Sequence, residues 1–310
     1  MHPKRILDQL KIHPSKKLGQ NFLIHDADAK RIADLLDCHR KPIACHPAPS
    51  ACHPEPSLCH PEPLGEGSIF FPVIEIGPGF GIVSKFLAQK TSELILVEKD
   101  SRLASYLSSQ LSFRGSERAE ESIFSFSDTA LIQVIHQDFL EYAFPDKKLI
   151  VVGNIPYNIA SLILLKLIEN KKNIEYCILM LPVEMAQKIM VTDGALYGVL
   201  SLTVQLDFII EKSFKVNASR FYPKPDVDSL VIKLIPKRDI LSFRLRQTFY
   251  DIIKVAFQNR RKMLRKTFSH LGGASKMNLT NSNWEALGIN PQSRPQDLSL
   301  EDYIRWARNS

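Results

Sequence analysis

The sequence predicts an α/β fold: a parallel sheet covered by helices on both faces, followed by a small C-terminal unit built only of helices. Three observations carry this. Short apolar, β-branched runs alternate with helical patterns from about residue 72 to residue 182, the signature of strand–helix units. A glycine-rich turn follows the first of those runs. After Pro236 the pattern turns helical and basic. The expected units are 1–236 and 237–310.

The elements follow in order. Residues 26–37 (DADAKRIADLLD) read as a helix with Asp26 as N-cap. PVIEI (72–76) is a strand, and a helix at about 82–90 follows the glycine turn. LILVE (94–98) is a second strand, DSRLASYLSSQL (100–111) a helix, and LIQVIHQD (131–138) a strand ending in acid. KLIVVGN (148–154) is a strand, SLILLKLIEN (161–170) a helix, and YCILMLP (176–182) a strand. Two further strands are expected near 205–212 and 228–235, before FRLRQTFYDIIKVAFQNRRKML (243–264).

Two stretches break the order. Residues 45–65 repeat Cys-His-Pro with a period of seven, and proline at that density forbids helix and strand. The spacing matches no common zinc module, so no metal is expected there. This segment, within 39–68, and SFRGSERAEESIFSFSDT (112–129) are read as disordered insertions in surface connections. RAEESIF (118–124) echoes LGEGSIF (64–70), as two translated repeat sequences would.

Composition narrows the class. With 45% hydrophobic and 24% charged residues the chain resembles an ordinary globular protein. No apolar run is long enough to span a membrane, and MHPKRILDQLKIH lacks the apolar stretch of a signal peptide. A cytoplasmic location is expected. The five cysteines (38, 45, 52, 59 and 177) are an odd count that argues against a disulfide framework. Net charge is +7 and the pI about 9.1, which suits a polyanionic partner. Lys237 to Lys266 holds ten basic residues against two acids.

The strand ends carry the chemistry. VIEIGPGFG (73–81) places Gly77, Gly79 and Gly81 in a turn where backbone can approach a ligand, but not in the spacing of a dinucleotide site. Glu98 ends the next strand, where an acid can accept bonds from both ribose hydroxyls. Asp138 ends the third, placed to meet an adenine. An adenosine cofactor without pyrophosphate fits, and S-adenosylmethionine is one. The fourth strand ends in Asn154-Ile155-Pro156-Tyr157. The exocyclic nitrogen of adenine is a poor nucleophile and needs acceptors for its hydrogens; the Asn154 side chain and the Ile155 carbonyl could supply them. Pro156 fixes the turn and Tyr157 offers a stacking face. The plainer alternative makes Asn154 the cap of a helix starting near Ile159 and Tyr157 a core residue.

Seven motifs together resemble the KsgA/RsmA family of small-subunit (16S) rRNA adenine N6,N6-dimethyltransferases: KKLGQNFL (16–23), EIGPGFG (75–81), VEKD (97–100), QDF (137–139), GNIPYNI (153–159), SRFYPKPDVDSLVIKLIP (219–236) and AFQNRRKML (256–264). The resemblance implies a Rossmann-like S-adenosylmethionine-dependent methyltransferase sheet and a C-terminal helical RNA-binding domain. It implies cofactor contacts from Asn21, Leu23, Gly77, Glu98, Asp138 and Asn154. It assigns catalysis to Asn154 and Tyr157, with Phe221 closing over the base opposite Tyr157. The implied substrate is two adjacent adenosines in the 3′-terminal hairpin loop of small-subunit rRNA, in the 30S subunit or its precursor, modified by a monomer. The alternatives are a 23S rRNA adenine methyltransferase of the resistance type, a DNA adenine-N6 methylase, and a non-catalytic assembly factor.

Overall fold

The computed structural model describes residues 3–10, 12–15, 18–36, 71–112, 130–269 and 284–310. The Cys-His-Pro repeat and 113–129 lie outside these, and with them their reading as disordered insertions. The helix Asp26–Asp34 and the strand Val73–Ile76 flank the first segment, and the helix Ser101–Ser112 and the strand Leu131–His136 flank the second.

Helix α1 (Pro3–Leu10) and strand β1 (Phe22–Leu23) precede α2 (Asp26–Asp34). Then come β2 (Val73–Ile76), α3 (Ser84–Leu87), β3 (Glu93–Glu98), α4 (Ser101–Ser112), β4 (Leu131–His136), β5 (Leu149–Asn154), α5 (Ala160–Glu169) and β6 (Ile174–Pro182). The chain continues through α6 (Val183–Met190), α7 (Val199–Asp207), β7 (Phe208–Val216), β8 (Phe221–Tyr222) and β9 (Ser229–Pro236). It closes with α8 (Phe243–Gln258), α9 (Leu264–Ser269), α10 (Trp284–Leu287) and α11 (Leu300–Arg308).

Seven strands form one sheet in the order β4–β3–β2–β5–β6–β9–β7. The first five are parallel, as the alternation of strands and helices requires; β9 and β7 join antiparallel. The central strands read as continuous apolar runs because both faces are covered. On β5, Leu149, Ile150, Val151 and Val152 point alternately into two cores, one under α5 and α6 and one under α2 and α3. Each such side chain contributes roughly 1.5–3 kcal/mol on burial. Parallel strands leave their C-terminal ends on one edge, and the neighbours of β2 diverge there to β3 on one side and β5 on the other. Ligands bind at such a crevice.

Three expectations need correction. Asp26 does not cap α2: His25 holds the cap position without a side-chain bond, and the Asp26 carboxylate pairs with Lys85 at 2.6 Å. The helix after the glycine turn is a single turn, α3, set between irregular turns rather than a helix over 82–90. Residues 205–207 are the end of α7, not the start of a strand. There Gln205 donates through Nε2 to the carbonyls of Ile189 and Val191, and Asp207 is buried among cations, so the helix persists until Phe208.

Helices α8 to α11 share a core of their own around Phe249, Ile253, Phe268, Tyr303 and Trp306, and that core also takes in Tyr197, Leu202 and Leu206 from in and around α7. Among the described residues, no helix is long and apolar enough to cross a membrane, no cluster of metal-binding side chains occurs, and Cys177 is a buried free thiol.

Candidate active site

A cavity of about 900 Å³ opens at the C-terminal ends of β2, β3, β5 and β6. It brings together Asn21, Leu23, Gly77, Glu98, Asp138, Asn154 and Phe221, every expected site residue except Tyr157. The backbone of Tyr157 opens a 3-10 turn, Tyr157–Ile159; its side chain lies outside what the structure describes.

The half of the cavity around Gly77 and Glu98 is shaped by glycine. Gly77 and Gly79 adopt φ of 59° and 60°, where a side chain is strained. A Cβ on Gly79 would stand 2.9 Å from the Phe22 ring, whereas Gly77 has nothing within 4 Å and leaves its side of the cavity open. Glu98 is buried and its carboxylate is fixed on both oxygens. Gly79 N–H donates to Oε2 at 3.1 Å and Asp100 N–H to Oε1 at 2.8 Å. Burial pushes its pKa up, and those two backbone bonds oppose the rise. A carboxylate held this way keeps its remaining lone pairs for a diol. This acceptor fits the ribose of the expected cofactor.

Asp138 sits in the turn two residues beyond β4. Its Oδ1 accepts from Leu140 N–H at 2.9 Å and its Oδ2 from the exposed Lys99 ammonium at 2.5 Å. Burial alone would raise this carboxyl; the Lys99 and Leu140 bonds outweigh it and hold the pKa low. Lys99 was not expected at the site.

Glu75, on β2, is buried and accepts a 2.5 Å bond from the Ser84 hydroxyl. Burial pushes its pKa up to about 8, with Ser84 opposing and Glu98 adding to the rise. An acid with a raised folded pKa costs stability wherever the unfolded chain is ionised and the folded one is not. Stability of the cofactor-free protein is therefore expected to fall as pH rises from about 4.5 to about 8. The loss is on the order of 4 kcal/mol. Glu75→Gln should flatten that slope, raising the melting temperature at pH 8 more than at pH 5; parallel pH profiles for the two proteins would contradict the assignment.

The other half of the cavity is built at the end of β5. Asn154 pairs with Met180 in the ladder, and the Ile155 N–H donates to the Met180 carbonyl at 2.9 Å. Gly153 allows the tight exit, since a Cβ there would stand 2.8 Å from the Ile155 side chain. The Asn154 side chain does not cap a helix. Its Nδ2 donates to the Asn21 carbonyl at 3.1 Å, which fixes the amide orientation and leaves Oδ1 as a free acceptor among the described residues.

The partner of that bond belongs to an N-terminal strap. Phe22 and Leu23 in β1 pair antiparallel with Tyr222 and Phe221 in β8, so two motifs far apart in sequence become one two-stranded ribbon. Phe22 packs on Phe80, ring centroids 4.5 Å apart, and α1 adds Ile6 and Leu7 to the same cluster. Gln20 donates to Asp100 at 3.0 Å and accepts from Ser15 N–H at 2.8 Å, fastening the strap to the loop after Glu98. Phe221 is buried and lines the cavity.

Known proteins resemble this chain in sequence and in fold. A family model described as Ribosomal RNA adenine dimethylase matches residues 12–309. A Ribosomal RNA small subunit methyltransferase A of Desulforapulum autotrophicum is 35% identical over 75% of this chain and 80% of its own. A protein of the same name from Geobacter metallireducens is 28% identical over 96% of this chain and 95% of its own. A dimethyladenosine transferase structure from Plasmodium falciparum superposes with a TM-score of 0.62 at 24% identity, covering 75% of this chain and 87% of that one. The 23S rRNA methyltransferase ErmE gives 0.63 at 20% identity, covering 93% and 99%. At those identities the two structures speak for the fold alone.

Proposed function

The chain belongs to the ribosomal RNA adenine dimethylase family, and on that premise we propose that it transfers methyl groups from S-adenosylmethionine to N6 of two adjacent adenosines in the 3′-terminal hairpin loop of small-subunit rRNA. The observation that carries the reading is the Asn154 amide, turned by the Asn21 carbonyl so that Oδ1 is left to accept. The cofactor, when bound, supplies a methyl group already activated as a sulfonium. The protein then has to hold the base, favour a pyramidal N6 and exclude water. In the first transfer Asn154 Oδ1 and the Ile155 carbonyl accept hydrogen bonds from the two N6–H groups, in the second from the one that remains; the bonds strengthen as nitrogen develops sp³ character, and each transfer releases one N6 proton to solvent. Phe221 provides one wall for the base, and Tyr157 is assigned the other. A loop adenosine is cheap to extrude, so little binding energy goes into presenting it. The enzyme is assigned to the cytoplasm as a monomer acting on the 30S subunit or its precursor.

The names of the curated relatives support the small subunit; a 23S rRNA adenine methyltransferase of the resistance type is the second reading. The deciding assay gives labelled cofactor to small subunits lacking the modification and to naked 23S rRNA, with nucleoside mass spectrometry as readout. Dimethyladenosine in the small-subunit hairpin is expected; product only on 23S rRNA, or on neither, overturns the proposal.

The basic C-terminal stretch is assigned to phosphates, and the sequence offers Arg260, Arg261 and Lys262 side by side for them. Arg260 donates to the Gly194 carbonyl at 2.7 Å, a contact with the loop before α7, so it serves the fold. Arg261 and Lys262 are exposed and remain the candidates. Replacing both with Ala should weaken RNA binding and lower the slope of log affinity against log salt by about 0.7–0.9 per lost phosphate contact. An unchanged slope in salt-titrated binding would place the RNA elsewhere.

A further inference from the structure

Beside the cavity lies a second groove of about 380 Å³, between α6 and the edge strand β7. Val183, Met190, Val191 and Leu230 form its apolar floor, and Gln187, Lys212 and Lys215 its rim.

The two lysines share this face because of an irregularity. In a regular strand, residues three apart point to opposite faces. The β7–β9 register shifts between Lys212 and Phe214, so that Lys212 pairs with Ile232 and Lys215 with Leu230. Ile232 and Leu230 both face the core under α5 and α6, whereas Val231 between them faces the other. A bulge that re-aims side chains beside an active site is a recurrent device. Glu211 pairs with Lys233, whose ammonium lies over Tyr176 on the opposite face, so it does not neutralise the groove. Lys215 pairs with Asp228 at 2.7 Å. Lys212 makes no ion pair or side-chain hydrogen bond with the described residues.

The groove continues the cavity. Glu184 and Ser229 line the cavity; their sequence neighbours Val183 and Leu230 line the groove. Strand order sets the direction. Asp138, Glu98 and the glycine turn belong to β4, β3 and β2, Asn154 to β5, and Lys215 to β7 on the far edge. The cofactor therefore fills one end of the line, the target base the middle, and the other end is left for the rest of the strand that bears that base. An apolar floor takes a base, and two ammonium groups take its phosphate.

We propose that this groove is a subsite for the nucleotide flanking the target adenosine, base on the floor and phosphate against Lys212 and Lys215. The proposal rests on the rRNA reading and deepens it. The test uses the full chain and a hairpin RNA from the 3′ end of small-subunit rRNA, comparing wild type with Lys212→Ala and with Gln187→Glu, an exposed rim position. Methyl-transfer kinetics and fluorescence-anisotropy binding are read in parallel. Both variants should raise the RNA KM and Kd, by roughly tenfold at low salt, while kcat and cofactor affinity stay at wild-type values; Lys212→Ala should also lower the salt slope by about 0.7. Wild-type RNA affinity and slope in both variants overturn the subsite, as does a Lys212→Ala protein that only self-associates, the behaviour of a lysine that merely guards an edge strand. RNA bound by the wild type without methyl transfer would instead defeat the rRNA-methylase reading, and the binding arm would still decide the groove.

Discussion

Asn154→Ala is expected to bind S-adenosylmethionine nearly as well as the wild type and to transfer methyl groups about 10²–10³-fold more slowly, the usual cost of one preorganised polar contact to a transition state. The argument lies in one hydrogen bond. The amide could present either end to the base, and only the oxygen can receive an N6 hydrogen. Donation from Nδ2 to the Asn21 carbonyl at 3.1 Å chooses the oxygen. Asn154→Asp tests the same point differently: it keeps an acceptor but sets a carboxylate against the Asn21 carbonyl, so it should also be slow. Single-turnover rates with saturating cofactor, beside equilibrium cofactor binding, separate the two steps. A rate within threefold of wild type for Asn154→Ala would remove this residue from catalysis.

Asp207→Ala is expected to destabilise the protein by about 3–5 kcal/mol, the cost of leaving buried charges unpaired. Asp207 is fully buried and accepts from Lys171 at 2.6 Å and Arg246 at 2.7 Å. Asp239 closes the square, 2.7 Å from Lys171 and 2.6 Å from Arg246, but is half exposed. The four charges join the turn after α5, the end of α7, the segment after β9 and helix α8. Without Asp207, the buried Lys171 keeps the half-exposed Asp239 as its ion-pair partner and a 3.4 Å bond to the Lys237 carbonyl. Asp239→Ala should cost no more than about 1 kcal/mol, because water replaces an exposed carboxylate cheaply. Denaturant unfolding of both variants measures the contrast; equal losses would mean that Asp207 holds no special position.

What could be read in advance was what is local. The strands around the crevice announced themselves as β-branched runs because they are covered on both faces. Glu98 and Asn154 could be placed because a strand end fixes where its side chain points. The elements that escaped depend on distant partners. Helix α1 has only eight residues, and its apolar side is explained by Phe80 and Leu103 much further on. The last turn of α7 looks like a strand until Gln205 and Asp207 find their partners. Asp138 was placed, but the Lys99 ammonium that holds it comes from another strand end. Asn21 was assigned to the cofactor by resemblance alone. Nothing in its vicinity signals that its carbonyl orients an amide 133 residues away.

Helix α7 gives Val204 to the core under the sheet and Leu202 and Leu206 to the core of the C-terminal helices. Melting either core strips apolar cover from the other, so the two should unfold in a single cooperative transition. The helical unit is thus not a cassette: moved to another methylase with a cut after Pro236, it would leave behind the segment that completes its own interior, and a working chimera has to carry residues 197–207 across with it.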